Sequence, residues 1–107
     1  MGRTGYLGEF EQVVLLAVAR LGGEAYGMRI REEIESRTGR AVTIGAVYAT
    51  LDRLEDKAYV RTRDEESSGR AKRFFEMLPA GVEALEAARE VQARMWAGVR
   101  LPRTRRP

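Results

Sequence analysis

Residues 43–77, TIGAVYATLDRLEDKAYVRTRDEESSGRAKRFFEM, decide the fold. Thr43 offers an N-cap hydroxyl, and behind it Ile44, Val47, Leu51 and Leu54 recur at helical spacing. Residues 58–63 (AYVRTR) alternate and carry β-branched side chains, which reads as a strand. Residues 64–69 (DEESSG) are polar throughout and read as a turn, and residues 73–77 as the returning strand, with Phe74 and Phe75 on opposite faces. A short amphipathic helix feeding a two-stranded basic hairpin is the winged helix-turn-helix arrangement. There the helix lies in the major groove of DNA and the hairpin reaches the flanking backbone.

The flanks supply the scaffold that such a unit needs. Residues 8–22 are apolar on more than one face, with Phe10, Val13, Val14, Leu16, Ala17 and Leu21 at helical spacing, so this helix is expected to be buried on most sides. Gly22 and Gly23 stop it. Tyr26, Ile30 and Ile34 mark a second helix that ends at Gly39. Pro79 suits the first turn of a last helix, along which Val82, Leu85, Ala88, Val91 or Gln92, Met95 and Val99 form a stripe. The expected fold is mainly α (α+β): three N-terminal helices, a two-stranded wing and a long C-terminal helix for dimerisation. The domains would be a DNA-binding unit over residues 1–78, a dimerisation helix over 79–99 and a disordered basic tail over 100–107.

A chain of 107 residues holds one domain, and a core of that size gains from oligomerisation. With no cysteine and no histidine, the chain has no disulfide, no thiolate metal site and none of the commonest general base. No apolar run is long enough to span a membrane, no signal-peptide pattern opens the chain, and Tyr6 stands where a myristoylation motif wants Ser or Thr. The expectation is a cytoplasmic non-enzyme without cofactor or metal. The net charge of +3 is no nucleic-acid signature, because Arg100, Arg103, Arg105 and Arg106 in the tail account for all of it. Local pattern has to carry the argument.

On the third helix, inward Val47, Leu51 and Leu54 leave Gly45, Ala46, Ala49, Thr50 and Arg53 pointing away, with Tyr48 on the flank. Such a small, neutral face lets a helix press deep into a groove, with Thr43, Tyr48, Thr50 and Arg53 as contacts to phosphates or base edges. The free N–H groups at Gly45 and Ala46 suit a phosphate. Taken alone, this face reads equally well as merely solvated. The wing adds Arg70, Lys72 and Arg73 on its returning arm, each able to neutralise a phosphate. Against that stand Asp64, Glu65 and Glu66 on the outgoing arm, which offer an intra-hairpin salt-bridge ladder instead.

Tyr26-Gly27, residues 43–48 (TIGAVY), the Leu51-x-x-Leu54-Glu55 spacing and Gly69-Arg70-x-x-Arg73-Phe74-Phe75 together resemble the PadR family of bacterial transcriptional regulators. The resemblance covers residues 8 to 88. It implies a winged-helix domain, a dimer built through the C-terminal helix, and repression by operator binding. Ala49 stands where the family usually has proline, and Phe74-Phe75 where it commonly has a tyrosine pair. Some family members bind flat aromatic effectors. Trp96 accordingly has two readings: packing in a dimer interface, or lining an intersubunit cavity for a small aromatic effector. Phe10, Val14, Leu85, Ala88, Met95, Trp96 and Val99 are the candidates for that interface or ligand surface. The expected partners are double-stranded DNA and a second copy of the chain. The rival is a winged-helix module for protein–protein contact that binds no DNA.

Overall fold

The computed structural model describes residues 7–67 and 69–103. Three helices come first: α1 (Glu9–Leu21), α2 (Gly27–Thr38) and α3 (Ile44–Asp56). Two antiparallel strands, β1 (Val60–Ser67) and β2 (Arg70–Met77), form the wing, and α4 (Pro79–Trp96) closes the chain. The first two helices end, and the third begins, where local backbone chemistry in the sequence says they should. Gly22 (φ +58°) and Gly39 (φ +73°) take the positive φ that other residues resist, and the Thr43 hydroxyl accepts the Ala46 N–H at 3.0 Å. No helix among the described residues is long and apolar enough to cross a membrane.

The core gathers Val14, Leu15 and Val18 of α1, Ile30 and Ile34 of α2, Val47, Leu51 and Leu54 of α3, and Val60 and Phe75 of the hairpin. Leu16 is the exception on α1, being half exposed, so that helix is buried on most sides but not all. Beside β2, the Phe75 N–H donates to the Ala25 carbonyl at 2.8 Å and Tyr26 forms an isolated antiparallel bridge with Phe74. The entry to α2 is therefore sewn to the base of the wing.

The wing is longer than the sequence suggests. Residues 64–66, expected in a turn, belong to β1, whose ladder with β2 runs from Val60↔Met77 to Ser67↔Arg70. The physical reason is charge pairing across the strands. Asp64 stands opposite Arg73 and Glu65 opposite Lys72, so a run too polar for a core is well suited to a solvated two-stranded arm. The reversal falls at Gly69, where φ is +74°. At the other end β1 starts at Val60 rather than at residue 58, since Ala58 sits at φ +61°.

The last helix also differs from expectation. α4 stops at Trp96, and Gly98 (φ +78°) turns the chain, so Val99 lies outside the helix it was expected to extend. Pro79 occupies the first turn, with Leu78 at the N-cap and no side-chain cap. Gly81 is buried against the Tyr59 carbonyl, which also accepts the Leu78 N–H at 2.9 Å. Ala84 and Leu85 pack on the core, and beyond Ala88 the helix is exposed all round. Of the tail, Arg100 and Arg103 are exposed, while Arg105 and Arg106 lie outside the described residues.

Candidate nucleic-acid interface

The turn between α2 and α3 is built to hold α3 at a fixed angle. A Glu35 carboxylate oxygen accepts the Val42 N–H at 2.9 Å, and the Thr38 hydroxyl accepts the Arg40 N–H at 3.1 Å while donating to the Ile34 carbonyl. With its turn pinned, α3 presents Thr43, Gly45, Ala46, Tyr48 and Ala49 to solvent together, over its first two turns. These five were expected there, and they make a small-residue tip with a hydroxyl on either side.

Thr50 is not part of it. Only 1% of its surface is exposed, and its hydroxyl accepts from the Arg53 guanidinium at 3.2 Å. The helical wheel explains the correction: position 50 falls beside Val47, Leu51 and Leu54, on the core side of the face assigned to it. Arg53 is outward but tethered, with its Nε 3.4 Å from Glu11. Its guanidinium folds toward α1 rather than along the tip.

Glu11 is the residue that sequence reasoning passed over. It is buried, yet its carboxylate accepts the Gly8 N–H at 3.0 Å, Arg53 at 3.4 Å and the Lys57 ammonium at 3.0 Å. The Gly8-x-x-Glu11 spacing is the signal that could have found it, since a Glu at the third helical position reaches back to the N-cap amide. Burial on its own would push this carboxyl up. The Gly8 amide, Lys57 and Arg53 together outweigh burial and hold it below its ordinary value of 4.5. A depressed carboxyl stabilises the fold above its unfolded pKa, and that contribution is lost as pH falls through the folded pKa. Glu11→Gln keeps the cap but removes the charge. It is expected to lower stability by about 1 kcal/mol at pH 7. The gap to wild type should close at acid pH in thermal melts; a gap that stays constant down to acid pH would contradict this.

Tyr48 leans across the entry to α2. A methyl group at Gly27 would overlap its phenol ring and hydroxyl, so Gly27 is there for the close approach of this ring. Gly27 thus links the start of α2 to the exposed tip of α3. Its neighbour Tyr26 meets Phe74 edge-on at 5.5 Å, with the Lys72 ammonium 4.3 Å from the Tyr26 ring centroid. The Arg63 guanidinium lies 4.7 Å from the Phe74 ring centroid.

The wing cations are thus partly committed. Arg73 faces Asp64 at 3.5 Å, Arg61 and Arg63 grip Glu76 at 2.9 Å, and Arg63 also reaches Glu65. Those two guanidiniums hold the Glu76 carboxyl below its ordinary value. The ladder reading of the hairpin describes these residues. Arg70, exposed near the reversal, takes part in no ion pair among the described residues.

The candidate dimer and ligand residues divide. Val14 is fully buried in the core of the single chain, so it lines no intersubunit surface. Phe10, Leu85 and Ala88 are half-buried, while Met95, Trp96 and Val99 are exposed. A groove of about 450 Å³ runs between α1 and α4, lined by Leu7, Gln12, Tyr59, Ala84 and Val91 among others; Trp96 is not part of its wall. The face that carries Gly81, Ala84 and Leu85 onto the core continues through Ala88, Gln92, Met95 and Trp96, and from Gln92 onward it is exposed among the described residues.

Three packed helices, a pinned turn, a capped helix with a small tip and a two-stranded arm define a winged helix-turn-helix protein. Comparison with known proteins agrees and narrows the class. Residues 15–87 match the model of the transcriptional regulator PadR-like family, and the chain belongs to that family of transcriptional regulators. Among solved structures it is similar to a transcriptional regulator from Clostridium thermocellum, with a TM-score of 0.71 and 17% identity over 81% of this chain and 85% of that one. It is similar to a PadR family transcription regulator from Clostridium difficile, with a TM-score of 0.67 and 20% identity over 84% and 88%. F93 from STIV, a winged-helix DNA-binding protein, aligns over 90% of this chain and all of F93, with a TM-score of 0.66 and 21% identity. Comparison with curated proteins finds no match.

Proposed function

We propose that the chain is a cytoplasmic, homodimeric transcriptional repressor that binds a pseudo-palindromic operator, one α3 per half-site. The observation that carries this reading is the exposed tip of Thr43, Gly45, Ala46, Tyr48 and Ala49, held in place by the Glu35 and Thr38 contacts to the turn. Gly45 and Ala49 let the helix backbone approach base edges, and the Tyr48 hydroxyl, lying at the uncapped start of α2, suits a phosphate there. Arg70, Lys72 and Arg73 serve the flanking backbone, with Arg70 the least committed within the chain. In a two-fold dimer the half-sites stand about 34–36 Å apart or at a multiple of that. Selection of genomic fragments by the protein, followed by sequencing, tests the reading; fragments with no shared motif would sink it.

Removing Arg70 should weaken binding on every sequence alike and reduce the salt dependence by about one counterion per subunit. Titrations of Arg70→Ala across a salt series check this, and a slope equal to wild type would show that the wing stays off the backbone.

The dimer reading rests on the uncovered continuation of the α4 face through Met95 and Trp96. Sedimentation should give twice the 12.0 kDa chain mass. A monomer at micromolar concentration would remove it. A small aromatic effector that relieves repression would stack on Trp96 between the subunits. Planar cationic dyes should then change tryptophan emission, and unchanged emission at saturation removes the effector. The rival module for protein contact draws on the internal pairing of Arg61, Arg63 and Arg73. It predicts no operator.

A further inference from the structure

The outward line of α3 does not stay small. Positions 45, 49, 52 and 56 fall on one face, opposite Val47, Thr50, Leu51 and Leu54, so the tip of Gly45 and Ala49 is followed directly by Asp52. Asp52 is exposed and, among the described residues, its carboxylate takes part in no ion pair or side-chain hydrogen bond. The two nearest cations in sequence are spoken for, since Arg53 and Lys57 both turn to Glu11. The helix therefore carries a bare negative charge about 10 Å along its axis from Gly45. That lies within the span of a major groove about 12 Å wide.

We infer that Asp52 is a specificity-determining residue whose carboxylate accepts a hydrogen bond from the N4 amino group of a cytosine in each half-site. The inference rests on the proposal that α3 enters the major groove. A carboxylate only accepts, and the major groove offers two base-edge donors, the N4 amino group of cytosine and the N6 amino group of adenine. Adenine places its N7 acceptor beside N6, which repels the second carboxylate oxygen. Cytosine presents its donor without that neighbour. A phosphate in the same position would repel Asp52, so sequences that bring N4 to it are favoured over all others. The charge acts as a filter against indiscriminate binding in a protein that, apart from its arginine tail, carries no net positive charge.

The test is selection from a randomised duplex pool with wild type, Asp52→Ala, Asp52→Asn and, as a control one turn further on, Asp56→Asn. Wild type should enrich cytosine at one position of each half-site, and Asp52→Ala should lose about tenfold of that preference. Asp52→Asn should move the preference toward adenine, whose N6 and N7 pair with an amide, and Asp56→Asn should leave it unchanged. Melting temperatures should match wild type, since Asp52 is exposed, which separates recognition from folding. Variants that keep the wild-type preference and bind every sequence more tightly would overturn the inference, because that is the mark of simple phosphate repulsion. A wild-type protein that selects no sequence at all would overturn the groove-binding proposal itself, and this inference with it.

Discussion

Gly81→Ala is expected to lower the stability of the chain by about 2–3 kcal/mol and its melting temperature by roughly 10 °C or more. In an ordinary helix the change would help, because Ala is a better helix former than Gly by about 1 kcal/mol. Here the added methyl meets the Tyr59 carbonyl and comes within 3.2 Å of the Met77 sulfur. The first obstacle is backbone and cannot swing aside. That carbonyl also accepts the Leu78 N–H, so the start of α4 and the link from α3 into β1 are fixed at one point. Making room means parting both, and with them the register of α4 on α1. A thermal melt of the variant checks this; a midpoint within 2 °C of wild type, roughly the shift of a fraction of a kcal/mol, would show the contact to be looser than it looks.

Gly27→Ala should behave in the opposite way, sparing the fold and damaging recognition. The obstacle is the Tyr48 phenol, a side chain 42% exposed that can rotate into solvent. Stability should change by less than about 1 kcal/mol. The Tyr48 hydroxyl, however, would leave the start of α2, and losing one hydrogen bond to a phosphate should weaken operator binding about tenfold. Tyr48→Phe should cost a similar amount on its own and little more when combined with Gly27→Ala, because both remove the same contact. Additive losses would mean that Gly27 acts by another route.

Much of this was legible in the sequence, and the misses have physical causes. The cap at Thr43, the glycine stops at Gly22 and Gly39, and the proline start of α4 follow from local backbone chemistry, which sequence displays directly. The wing exceeds its expected length because a polar run fits a turn and a solvated strand equally well. An exposed antiparallel arm satisfies the same charges across its strands, as Asp64 with Arg73 shows. Thr50 was misplaced because a threonine looks polar while its wheel position is that of a core residue. Val14 was offered to a partner that its own core leaves no room for. The contacts of Glu11 with Arg53 and Lys57, of Gly27 with Tyr48 and of Gly81 with Tyr59 join residues distant in the chain, and no spacing announces a partner that only tertiary packing brings near.

Whether the tip of α3 reads double-stranded DNA is decided by titrating a labelled fragment from upstream of the protein's own gene, and a shuffled fragment of the same composition, at about 50 and 200 mM salt. Ala49→Glu, on the exposed tip, serves as the variant. Wild type should prefer the upstream fragment at both salt concentrations and weaken at the higher one. Ala49→Glu should lose that preference while melting as wild type does. Equal binding of both fragments by wild type, or an unchanged preference in Ala49→Glu, would contradict the account.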